Sequence, residues 1–159
     1  MLKTHRARKA KARPNPGVRI AIVASQYNAR FVDAMVEAAR KELQREGIKA
    51  VEVVRVPGAF EIPVVASALC HRLTPPVSAV ICLGVILRGA TTHAQHIGEA
   101  VTLALVELQI RRQIPVIHEV LLLEDTKQAE ERCLDPKRSR GIEAARTAVR
   151  MAALMPTLA

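Results

Sequence analysis

Four short and nearly unbroken apolar runs dominate this chain, at residues 18–24, 50–56, 77–87 and 116–123. A strand with one wet face alternates apolar and polar residues. A run rich in Val, Ile and Leu at consecutive positions is instead covered on both faces, as in a parallel sheet. The segments between the runs carry helical spacing. Phe31, Val32, Met35, Val36, Ala39 and Leu43 form one stripe, with Asn28 as the expected N-cap and Gly47 just past its end. A second helix is predicted from near Phe60, with Pro63 tolerated in its first turn. A third is predicted over 92–112. A fourth starts at Asp125, with Gln128 completing a capping-box pattern, and Asp135-Pro136 interrupts it. A last helix is predicted over 139–154. The order βαβαβαβαα predicts an α/β sandwich on a parallel sheet with right-handed crossovers.

A chain of 159 residues makes one domain of ordinary size. Residues 3–13 hold six of the nine net positive charges, as Lys3, Arg6, Arg8, Lys9, Lys11 and Arg13. Pro14 and Pro16 then forbid a continuing helix. Residues 1–16 therefore read as a disordered basic arm before a domain over 17–159. Such an arm either touches a polyanion such as RNA or simply solubilises a terminus. Only Tyr27, Phe31 and Phe60 are aromatic, too few for a single-strand nucleic-acid surface built on stacking. No apolar run has the length of a membrane span, and no apolar leader opens the chain. Cys70, Cys82 and Cys133 form no C-x-x-C pair, which suggests a reducing cytoplasm and no disulfide framework. The cysteines and histidines show no zinc-ligand spacing, so no metal site is expected.

The third helix is apolar on two faces. Ile97, Val101, Ala104 and Leu108 define one, and Leu103, Val106 and Ile110 lie on another. Such a helix is covered on most sides, either by a second subunit or by a broad intrachain face.

Parallel sheets bind ligands beyond the carboxyl ends of their strands. That rule selects residues 25–28, 56–61, 88–93 and 122–124. The third of these carries the most chemistry. Gly89 permits a tight turn. Ala90, Thr91 and Thr92 then offer N–H groups and hydroxyls at a helix start, which is an anion site. His93 lies in the first helical turn, where the dipole disfavours an imidazolium. A neutral ring there can take up and return a proton, or it can merely cap the helix. Arg132 is either a phosphate clamp or one half of an exposed ion pair with Glu130 or Glu131. Tyr27 and Phe60 could each present a stacking face, although a core position is commoner for an aromatic ring. No G-x-G-x-x-G and no P-loop follows the first strand, which disfavours dinucleotide and ATP chemistry.

The blocks Val56-Pro57-Gly58-Ala59-Phe60-Glu61-Ile62-Pro63 and Arg88-Gly89-Ala90-Thr91-Thr92-His93 are specific. With Tyr27-Asn28, Gln128 through Arg132 and Arg140 through Ala145 in order, the chain resembles the lumazine synthases over roughly residues 17–155. The resemblance implies a flavodoxin-like three-layer αβα sandwich with strand order 2-1-3-4. It implies condensation of a ribitylamino-pyrimidinedione with dihydroxybutanone phosphate, with no metal or other cofactor. It also implies active sites between the subunits of a pentamer.

Position by position, the resemblance makes Tyr27 a stacking ring. It makes Ala59, Phe60 and Glu61 the ribityl contact, and Ile86 and Leu87 the ring pocket. Ala90, Thr91 and Thr92 become the phosphate turn, His93 the proton-transfer group, and Arg132 a phosphate ligand from the adjacent subunit. Asn28, Arg88, His118 and Arg140 complete the expected substrate contacts. The segment between Arg132 and Gly141 is short enough to permit an icosahedral capsid built from pentamers, and riboflavin synthase is an expected partner protein.

The chain departs from the family pattern at four places. His118-Glu119 stands where Phe-Gly is common, and Leu122 replaces a Thr. Ala94-Gln95-His96 replaces F-D-Y, and Ser139-Arg140-Gly141 replaces N-K-G. Two non-catalytic readings share the same pocket and shape: a flavin- or riboflavin-binding oligomer, and a shell-forming subunit whose arm packages nucleic acid.

Overall fold

The computed structural model describes residues 16–159. The expected disordered arm therefore lies outside the described residues except for Pro16. Four strands alternate with helices: β1 (Arg19–Ser25), α1 (Ala29–Arg45), β2 (Ala50–Val56), α2 (Ile62–His71), β3 (Ala79–Leu87), α3 (His93–Arg112) and β4 (Val116–Leu123). A single helical turn, α4 (Thr126–Ala129), passes into a π-helical turn over Glu130–Leu134, and α5 (Arg140–Leu154) closes the domain. All pairings are parallel and the strand order is β2-β1-β3-β4, with helices on both faces. No helix among the described residues is long and apolar enough to cross a membrane.

The unbroken apolar runs are explained by burial on both faces. Ile20, Ile22 and Ala24 of β1 join Ile81, Leu83 and Val85 of β3 beneath α1 and α5. Ala21 and Val23 join Val80 and Cys82 beneath α2 and α3. β2 is an edge strand and is only half-buried along most of its length. The three cysteines are core residues, and burial pushes the Cys70 and Cys133 thiols up to about 11.

The helix boundaries follow local chemistry. Gly47 takes φ 83°, and the Gly47 and Ile48 amides bond back to Gln44 and Leu43, so α1 ends on a left-handed glycine as expected. Asp125 accepts from the Gln128 amide at 2.8 Å, while the Gln128 side chain reaches back to the Glu124 amide rather than to Asp125. Gly141 is demanded by packing, because a Cβ there would lie 2.1 Å from the Met35 carbonyl oxygen. The start of α5 thus rests directly on the backbone of α1.

Three expectations change. Asn28 precedes α1 in a left-handed conformation (φ 55°), and its side chain makes no cap. Its Nδ2 donates instead to the Val85 carbonyl at 2.7 Å, tying the start of α1 to the end of β3. Gly89 has no positive φ, and a Cβ there would meet nothing within 4 Å, so the turn does not require glycine within this chain. Finally, α3 is not covered on most sides by its own chain. Val101 and Leu105 are buried, whereas Leu103 and Ile110 are 68% and 69% exposed. The intrachain explanation for its second apolar face is removed.

Candidate active site

The loops after β1 and β2 are tied to each other. The Gln26 amide donates to Val56 O at 2.8 Å, and the Tyr27 amide donates to Pro57 O at 3.1 Å. This backbone link brings Tyr27 beside the turn over Ala59–Glu61. Beyond the strand ends an open cleft of about 940 Å³ is lined by Tyr27, Asn28, Ala59, Phe60, Glu61, Ile86, Leu87 and His93, together with Gly58, Val85, His96, Ile97 and Ala100. That volume suits a small-molecule guest.

Tyr27 and Phe60 are not core rings. They are 75% and 62% exposed at the cleft, while Phe31 alone of the aromatics is buried. Glu61 Oε2 accepts from the Gly58 amide at 2.9 Å, which leaves the other carboxylate oxygen available as an acceptor. Ile86 and Leu87 are half-buried. His93 begins α3 and is exposed, its amide close to Thr91 Oγ1 at 3.4 Å. The His96 amide is bonded to Thr92 O at 3.1 Å, so the amides of Ala94 and Gln95 stand before the helical ladder in the manner of an anion-binding terminus. Ala90, Thr91 and Thr92 are exposed in the turn leading to that terminus, outside the lining of the cleft itself.

The remaining candidates lie away from this cleft. Arg88 pairs with Glu124 at 3.0 Å. Arg140 is held between Glu119 (2.9 Å) and Glu143 (2.7 Å). Glu119 is buried, and burial raises its pKa against the lowering effect of Arg140 and, more weakly, of Arg132. Arg132 lies in the π-helical turn, exposed and without a close ion pair among the described residues. Glu130 pairs with Arg30 instead, at 3.0 Å.

His118 lies on the opposite face of β4 from Glu119. Its Nδ1 accepts from the Val120 amide at 3.1 Å, and its Nε2 meets Thr102 Oγ1 at 2.8 Å. The Thr102 hydroxyl already donates to Gly98 O, so Nε2 carries the proton and the ring is neutral. Burial lowers the His118 pKa in the same sense.

The cleft members that sequence reasoning omitted from α3 carry a plain signal. His96, Ile97 and Ala100 follow His93 at i+3, i+4 and i+7, which is one helical face. Gly58 falls within the selected segment 56–61, whereas Val85 lies inside β3, ahead of the strand end at which the rule looks.

The family model described as 6,7-dimethyl-8-ribityllumazine synthase matches residues 17–156. A protein of that name from Xanthomonas oryzae pv. oryzae is 37% identical over 145 residues, covering 90% of this chain and 93% of its own length. One from Xylella fastidiosa, with the same name, is 38% identical over 144 residues, covering 89% and 92%. These comparisons give no support to the two non-catalytic readings.

Proposed function

The chain belongs to the 6,7-dimethyl-8-ribityllumazine synthase family, and from that premise we propose how its residues divide the reaction. The enzyme is a transferase of riboflavin biosynthesis. It condenses 5-amino-6-(D-ribitylamino)uracil with 3,4-dihydroxy-2-butanone 4-phosphate, releasing phosphate and water. The product, 6,7-dimethyl-8-ribityllumazine, marks the penultimate step of the pathway.

In our reading the cleft holds the pyrimidine between Tyr27 and the apolar wall of Ile86 and Leu87. Phe60 and Glu61 receive the ribityl chain, with the unbonded carboxylate oxygen of Glu61 accepting its hydroxyls. The phosphate lies at the start of α3, where Ala90, Thr91 and Thr92 lead into amides outside the helical ladder. His93 moves protons at the reacting carbons. Holding two reactants together accounts for much of the acceleration, since no strong nucleophile is needed.

The observation that carries this reading is the separation of Arg132 from the cleft, combined with the uncovered apolar face of α3. Both are accounted for if a second copy packs against the cleft and delivers Arg132, together with His118 and Arg140, from its own β4 edge. We propose a pentamer in the cytoplasm, able to assemble further into an icosahedral capsid and to associate with riboflavin synthase. The test is to mix the protein with both substrates and follow the absorbance and fluorescence of the lumazine. Formation of the lumazine is expected. No product from an assembled preparation contradicts the reading.

A further inference from the structure

The geometry points to His96 as a second proton carrier of the cleft, acting beside His93, an inference that rests on the condensation reading above. Both imidazoles project from the first turns of α3 at i and i+3, a spacing that puts Cβ atoms about 5–6 Å apart on one face. Both are exposed, and among the described residues no hydrogen bond or ion pair engages either ring. Two other polar side chains of the cleft are already engaged. Glu61 is tied to the Gly58 amide, and Asn28 to the Val85 carbonyl. Glu99, one turn further along α3, accepts from Gln95 at 2.8 Å. Among the described residues no group of three His, Cys, Asp or Glu side chains gathers to hold a metal ion, so this pair is not part of such a cluster.

The chemistry needs protons given and taken at different atoms. Imine formation expels a hydroxyl as water: the amine lone pair closes the C=N bond, and the C–O pair leaves on an oxygen protonated by an imidazolium. Phosphate release runs the other way. An imidazole takes a proton from the carbon next to the imine carbon, the C–H pair becomes a C=C bond, and the C–O pair departs with phosphate. The enol left behind takes a proton on its terminal carbon and becomes a methyl ketone; the second amine adds to that carbonyl, and ring closure expels a second water, which again needs a proton on the leaving oxygen. The proton removed at one carbon is the proton needed at another, on a different atom of the same four-carbon fragment. Two rings along one helical face can serve both positions at once, with His93 at the helix start and His96 three residues further along, beside Ile97 and Ala100 in the cleft lining.

The test is steady-state kinetics on the full-length protein with both substrates. His96→Gln should lower kcat about 10-fold or more, within the range for a positioned acid or base, with both KM values changed less than about 3-fold. His96→Ala should fall similarly and recover part of its rate when imidazole is added to the buffer. A kcat equal to that of the unsubstituted enzyme overturns the inference. So does a rise in KM alone, which would mark a binding contact, or a loss in His96→Ala that imidazole does not restore. If the unsubstituted protein forms no lumazine, the condensation reading itself fails and this inference falls with it.

Discussion

The two ends of the sheet treat their polar groups in opposite ways. Around the cleft, Tyr27, Phe60, His93 and His96 are exposed, and their side chains are left open to a guest. At the β4 edge, His118 is pinned to Thr102 and Val120, and Arg140 is clamped by Glu119 and Glu143. Arg132 is the exception there, exposed and without a close counter-ion. The contrast separates exposed side chains without partners among the described residues from side chains already held by hydrogen bonds and ion pairs. By exposure Arg132 goes with the first group, although it is located in the second region.

The contrast can be broken most severely at His93. His93→Ala should lower kcat about 10²-fold or more if the ring carries protons, measured as lumazine formation at saturating substrates. A loss smaller than threefold would remove the cleft's central assignment. The next largest effect is structural. Gly141→Ala forces a Cβ against the Met35 carbonyl and should cost about 1–3 kcal/mol in denaturant unfolding. Because α5 carries Arg140, the shift should loosen the β4 edge while the cleft lining stays in place. Unchanged stability would mean that α5 can slide without penalty.

Arg132→Ala should act on binding rather than on the chemical step. Loss of a charge-assisted contact of about 1.5–3 kcal/mol predicts a rise of about 10- to 150-fold in KM for the phosphate-bearing substrate. The KM for the pyrimidine should move far less. An equal rise in both would show a general loss of assembly instead.

The smallest effect concerns His118. Its folded-state pKa is depressed below the ordinary 6.5 by burial, so the neutral ring is favoured in the fold. The stability this contributes is fully present above 6.5 and is lost as pH falls through the lower folded value. Protonating Nδ1 would also set a donor against the Val120 amide. The Tm should therefore fall as the pH drops below 6.5, and His118→Phe should flatten that decline. An identical acid decline in His118→Phe would assign it to other groups.

Much of this was legible before any coordinates. The unbroken Val/Ile/Leu runs implied doubly covered strands, and β2 and β4 begin and end at the expected residues. The strand-end rule found the loops that build the cleft, because loop position depends only on topology. What escaped detection was set by through-space partners. Asn28 was expected to cap because Asn caps commonly, but a carbonyl from β3, 57 positions away, claims its side chain. The role of Arg140 depends on Glu119, a residue 21 positions earlier that is buried on the neighbouring face. The exposure of Tyr27 and Phe60 defied the usual fate of aromatics, since the backbone link between their loops holds both at the rim. His96 stood out as a departure from the family pattern, but its place on the His93 face of α3 was not carried into the expected site.

The central claim is that one working site draws His93 and Arg132 from different copies of the chain. It is tested most directly by co-expressing His93→Ala and Arg132→Ala, each feeble alone, and assaying the mixed assemblies. If the site spans two copies, random mixing regenerates an intact pair in about a quarter of the sites, and activity returns toward that fraction. If mixed assemblies are no more active than the average of the two separate variants, both residues serve within a single chain and the account is wrong.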